Sequence, residues 1–106
     1  MHKQTIISAI QSQQMIRINF QKETTGEFVT RDIGPYDIFP KKKKNHYHEE
    51  DFLLGYADIH VPHGAHVVST YLSNISSVEV LKESFDGREI TRLVNPKEPP
   101  IIPRNW

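Results

Sequence analysis

The sequence predicts a mainly β fold: a small, strongly bent barrel of the SH3/Sm type, capped by an N-terminal helix and followed by an extended Pro-rich C-terminal tail. Three observations predict it. A single helical stripe stands at the start of the chain, and the remainder breaks into five or six short apolar or alternating runs. Gly, Pro, Asn and Asp punctuate those runs at close spacing, as turns in a small barrel require. The densest run, Asp51 to Tyr56, is apolar on both faces: Phe52, Leu54 and Tyr56 point one way in an extended chain, and Leu53 points the other way beside Gly55 and Ala57. A strand of that kind is covered on both sides.

The length of 106 residues fits one domain, expected over residues 1–94, with residues 95–106 as the tail. The hydrophobic fraction of 37% and charged fraction of 25% are those of a globular chain. The formal net charge is zero, so no global field drives the chain onto nucleic acid or an anionic membrane, and any such binding needs a local patch. The absence of cysteine excludes disulfides, thiolate metal sites and thiol catalysis. No apolar stretch approaches the ~20 residues of a membrane helix, and the N-terminus carries no signal-peptide pattern. The expected location is cytoplasmic, with no membrane partner.

Taken in order, residues 3–13 read as a short helix with Ile6, Ala9 and Ile10 on one face. Such a helix is marginal alone and must dock on the sheet. Residues 15–20 alternate, placing Ile16, Ile18 and Phe20 together and Arg17 and Asn19 opposite. A polar loop ending at Gly26–Glu27 makes a hairpin to a second strand at 28–33, on which Val29, Arg31 and Ile33 share a face. An arginine on that face, if it looks into the barrel, is partly buried and needs a carboxylate or carbonyl partner. Gly34-Pro35 turns the chain, and Tyr36–Phe39 begins a third strand stopped by Pro40. Lys41 to Glu50 reads as a hydrophilic loop, 51–58 as the central strand and 59–65 as another loop. His66–Leu72 and Ser77–Lys82 are strands around a corner at 73–76. Asp86-Gly87 is a turn, and 88–94 either pairs once more or drapes over the surface. Four of the seven prolines fall in 95–106, which excludes a regular element there. The expected core is Ile16, Ile18, Phe20, Phe52, Leu54, Leu72, Ile75, Val78 and Val80.

Three of these stretches, in this order, resemble a WYL domain, a bacterial β-barrel module. An Arg shortly before a Pro closes the second strand of that family, matched by Arg31 and Pro35. Its aromatic-Leu-x-small-aromatic strand is matched by Phe52, Leu53, Gly55 and Tyr56. Its apolar-Asp-Arg-Ile corner is matched at Leu72 and Ile75, with Ser73 and Asn74 where Asp and Arg are usual. The resemblance spans residues ~3–82 and implies a helix capping an Sm-like barrel. It also implies a regulatory role, with binding of nucleic acid or a nucleotide-like effector through Arg31, Arg17, Tyr56, Tyr71 and Asn74. The helix-turn-helix that usually precedes such a domain has no room here, so the expectation is a free-standing accessory module.

Other residues invite chemistry. Lys41, Lys42, Lys43 and Lys44 form the strongest local positive run, with Tyr47 close enough to stack on a base, although Glu49, Glu50 and Asp51 come at once after it. Of the six His, His46 and His48 are two apart, while His60, His63 and His66 are three apart; without Cys this reads as solvated loop rather than metal site. No nucleophile elbow, phosphate-cradling Gly loop, paired-carboxylate or zinc-peptidase motif is present, so the chain reads as a non-enzyme without cofactor. Ile101, Ile102 and Trp106 give the tail apolar anchors, to dock on its own barrel or on another subunit, as in a protein-interaction or oligomer-forming module.

Overall fold

The computed structural model describes residues 2–44, 46–94 and 99–106. Helix α1 (His2–Ser12) buries Ile6, Ala9 and Ile10, the residues that recur at helical spacing. It stops where Gln13 takes a left-handed φ of 56°, the conformation that closes many helices. Gln13 also reaches the far end of the chain. Its backbone carbonyl accepts from the Phe85 N–H at 2.9 Å, and its side-chain oxygen accepts from the Gly87 N–H at 2.7 Å.

Five strands come after it: β1 (Gln14–Gln21), β2 (Phe28–Lys42), β3 (Glu49–Ala57), β4 (His66–Tyr71) and β5 (Ile75–Ser84). They form one antiparallel sheet in the order β4-β3-β2-β1-β5, with a 3₁₀ turn at Leu72–Asn74 leading from β4 into β5. β4 and β5 are the two edges. The β1–β2 hairpin sets Ile16 opposite Ile33, Ile18 opposite Arg31 and Phe20 opposite Val29, with Gly26 at φ 74° in its loop.

Both faces of the sheet are covered. On one, α1 packs on Ile16, Ile18, Ile33, Ile38 and Leu53, joined by Val68, Ile75 and Ile102. On the other, Met15, Tyr36, Phe85 and Ile90 gather with Leu54 and Tyr56 beside them. β3 contributes to both, as its two apolar faces require: Leu53 is fully buried in the first cluster, and Leu54 and Tyr56 are half-buried against the second.

The structure corrects the sequence reading in four places. Gly34-Pro35 does not break the chain. One strand runs from Phe28 to Lys42 with a bulge between Pro35 and Asp37, and that irregularity accommodates the missing proline N–H. A Cβ at Gly34 would lie 2.7 Å from Ile59 Cδ1 and 2.8 Å from Ile90 Cδ1, so those two side-chain ends would have to shift to admit one. The lysine run is not all loop. Lys41 and Lys42 sit on β2 opposite Glu50 and Glu49, where opposite charges face each other across the ladder. Residues 88–94 neither pair nor drape. Gly87–Leu93 is a helix, α2, capped by the Asp86 carboxylate, which accepts from the Arg88 N–H at 2.9 Å. The hydrogen bonds from Arg88 hold that carboxyl below its ordinary value. Finally, of the expected core, Phe52, Leu54, Leu72 and Val78 are only half-buried and Val80 is exposed, the last two because β5 is an edge.

The C-terminal segment returns to the domain. The Asp37 carboxylate, buried on β2, accepts from the Ile101 and Ile102 N–H groups at 3.0 Å each and from Arg104 Nη2 at 3.4 Å. The Arg104 guanidinium lies over the rings of Tyr36 and Trp106, at 4.8 and 4.5 Å. Burial pushes it below the usual arginine range, an effect opposed by Asp37. Trp106 donates its indole N–H to the Ile10 carbonyl at 2.7 Å and stacks edge-on against Tyr36 and Phe85. Residues 95–98 lie outside the described residues. Among the described residues, no helix is long and apolar enough to cross a membrane.

Candidate functional site

A concavity runs along the free edge of β4. It holds about 440 Å³ and is bounded by β4, the ends of the β1–β2 hairpin, Phe52 and Asn74. The topology explains its position. β4 is an edge strand, and the bent β1–β2 hairpin rises opposite it, so residues far apart in sequence face one space.

Three of the five expected ligand residues meet there: Arg31, Tyr71 and Asn74. Arg31 is neither buried nor, among the described residues, ion-paired, which corrects the expectation drawn from its strand face. It is exposed, and Nη1 donates to the Thr30 carbonyl at 2.8 Å. Its cross-strand partner Ile18 is fully buried in the core, whereas the Arg31 side chain lines the groove. Tyr71 is nearly buried. Its hydroxyl donates to the Lys42 carbonyl at 3.1 Å, and its ring meets Phe52 edge-on at 4.8 Å, with Phe39 next in the row at 5.5 Å. Asn74 donates to Glu23 Oε2 at 2.6 Å, tying the 3₁₀ turn to the β1–β2 loop.

Arg17 and Tyr56 lie elsewhere. Arg17 makes a two-pronged pair with Asp32, at 2.7 and 3.0 Å, and the hydrogen bonds and charge of Asp32 raise its basicity further. It lines a neighbouring groove of about 390 Å³ that shares Arg31 and His66 with the first. Tyr56 belongs to the opposite face, where burial, aided by Tyr36, pushes its hydroxyl above its ordinary value.

The lysines border the aromatic row. Lys41 Nζ lies 4.4 Å above the Phe52 ring and Lys43 Nζ 4.9 Å above Tyr71. Lys43 also pairs with Glu50 at 3.4 Å and donates to Ser73 Oγ at 3.4 Å, while Ser73 donates to Glu50 at 3.0 Å. Lys42 and Lys44 are exposed, and Tyr47 is 92% exposed on the β2–β3 connection. Among the described residues, no group of three or more His, Asp or Glu is placed to hold a metal ion.

Sequence reasoning missed Lys22, Glu23 and His66 as groove residues and Asp37 and Arg104 as a buried pair. The first three carry no local signal, since only the fold sets the hairpin loop against β4. Asp37 carried one: an acid between Tyr36 and Ile38 in an apolar strand needs partners when buried. No known protein family, curated protein or solved structure matches the chain.

Proposed function

We propose that the protein is a non-enzymatic binding module of WYL-like, Sm-type architecture whose β4 groove takes a nucleotide-like anion. The strand order, the helix at the N-terminus and the 3₁₀ turn before β5 support the architectural part of this reading. One observation carries the functional part. Arg31 presents an exposed guanidinium, engaged among the described residues by the carbonyl of its neighbour, into the same groove as the Tyr71–Phe52 ring pair. A guanidinium fork binds phosphate oxygens in two-point fashion, and ring edges and faces give a base something to pack on. Lys41 and Lys43 at the border, with Lys42, Lys44 and Tyr47 beyond it, extend a cationic, aromatic margin for a longer strand. Within the groove Asn74 is bound to Glu23, and outside its lining Ser73 is bound to Glu50.

The test is a titration with a short single-stranded oligonucleotide and with a nucleoside monophosphate, at low and moderate salt. Binding is expected to weaken steeply with salt, because each neutralised phosphate releases counterions. Arg31→Ala is expected to weaken both ligands about tenfold or more, the loss of one charge-assisted contact. No binding at low salt, or equal binding by Arg31→Ala, would count against the proposal. A protein-interaction module is the second reading, and the open edge of β4 favours it: its six residues all line the groove, and none is Lys or Pro, the residues that commonly blunt an edge.

A further inference from the structure

The segment after Pro99 is held as a ligand is held. It forms no strand or helix, and it is held by side-chain groups of the domain and by one backbone carbonyl of α1. Asp37 receives two consecutive backbone N–H groups, from Ile101 and Ile102. Gln11 donates from its side-chain amide to the Pro103 carbonyl at 3.0 Å, and the Ile10 carbonyl takes the indole N–H. Arg104 is closed in, with its side chain 2% exposed, between Asp37 and two rings. The indole lies where Gly87 has no side chain, and a Cβ at that position would overlap it. Apart from the Trp106 ring, which the segment supplies itself, these groups belong to α1, β2 or the start of α2, so most of the receptor is made without the segment that fills it.

We propose that this cleft is a peptide receptor for the chain's own C-terminal segment, and that it takes the same segment from a second copy, so that two molecules exchange tails. The occupant's chemistry is read from the contacts: two successive N–H groups for Asp37, an arginine two residues on and a Trp two residues beyond that. The contacts in trans are the same as in cis, and departure of the segment breaks no sheet pairing. The balance is therefore set by effective concentration, and trans occupancy grows as the protein is concentrated. This inference is independent of the β4 groove, which the cleft does not share.

Trp106 is the only tryptophan, which makes the test direct. The full-length Arg104→Ala, Trp106→Ala variant contains no tryptophan and has weakened its own tail. It is titrated with a synthetic peptide of residues 99–106, whose Trp is then the sole emitter. A saturable blue shift is expected. It should be weakened tenfold or more when Asp37→Asn is added to the protein or when the peptide arginine is replaced by Ala. A peptide emission that stays at the position of free Trp, with the variant folded by circular dichroism, would overturn the receptor. Should the variant fail to fold, wild-type protein is mixed with the peptide carrying 5-fluorotryptophan: a second, bound fluorine resonance is expected, and a free resonance alone refutes the idea. Sedimentation of the wild-type chain over a wide concentration range then decides the exchange. A dimer that grows with concentration and is lost in the doubly substituted variant supports it, and a monomer throughout overturns it even if the peptide binds.

Discussion

Asp37 and Arg31 illustrate how a charged side chain on an apolar strand is settled by its surroundings. Both lie on β2, six residues apart. Asp37 is buried and gathers three hydrogen bonds from the C-terminal segment, whereas Arg31 opens onto a groove and needs only one carbonyl. Removing the Asp37 carboxylate leaves two backbone donors and a buried guanidinium without their acceptor. Asp37→Ala is therefore expected to cost about 3–5 kcal/mol, as breaking a buried pair does. Urea unfolding measures this, and a loss below about 1 kcal/mol would show the clamp to be unimportant. Among the described residues Arg104 Nη1 is buried without a hydrogen-bond partner, which adds to the dependence of this arginine on Asp37 and the two rings.

At the level of elements, α2 is short and leans on its cap. Seven residues cannot sustain a helix by propensity, so Ile90 in the second cluster, the Asp86 cap and the Gln13 bond to Gly87 hold it. The Asp86 carboxyl is depressed when folded, so its stabilisation is fully present above the carboxyl's ordinary titration range. As pH falls through that lowered value, the cap is protonated and its contribution is lost. Acidification from neutral pH into the range below about 4 is expected to raise amide exchange in α2 ahead of β2 and β3. Asp86→Asn, which caps without a titrating group, should remove the pH dependence. Equal acid sensitivity of the two proteins would contradict the assignment. The β2–β3 hairpin has the opposite character: Lys41 and Lys42 face Glu50 and Glu49, Lys43 reaches Glu50, and the run that looks like a free cationic patch in sequence is half neutralised by its own partner strand.

Over the whole molecule, the two apolar clusters lie on opposite faces of one sheet, and the tail joins them. Ile102 is buried in the first, and Trp106 packs against both. The fluorescence of the single Trp should therefore be blue-shifted in the native protein. Its unfolding transition is expected to coincide with that of the far-ultraviolet dichroism, as for one cooperative unit. A Trp transition clearly earlier than the dichroic one would show a tail that detaches before the domain unfolds.

The features that the sequence determined by itself are those that depend on nearest neighbours along the chain. The period of Ile6, Ala9 and Ile10 made α1, the alternation through Ile16, Ile18 and Phe20 made β1, and the two apolar faces around Leu53 required a strand covered on both sides. Of the three apolar anchors read in the tail, Ile102 and Trp106 are packed against the domain, while Ile101 is exposed. The signal for α2 was also local, with Asp86 at the cap, Glu89 in the first turn and Arg92 in the last, yet seven residues give too little period to outweigh an extended reading. Only the tertiary structure decided the rest. Whether β2 turns or runs on through Gly34-Pro35 depends on β3 being there to pair with it. Which side of β3 is the deeper one depends on α1 covering Leu53 more fully than α2 covers Leu54. Whether Arg31 is buried depends on β4 leaving its edge open. The partners of Asp37 and Arg104, 67 residues apart, exist only when the last residues of the chain return to its first helix and second strand. Such facts are set by long-range packing, which burial and hydrogen-bond satisfaction select and which no window of sequence contains.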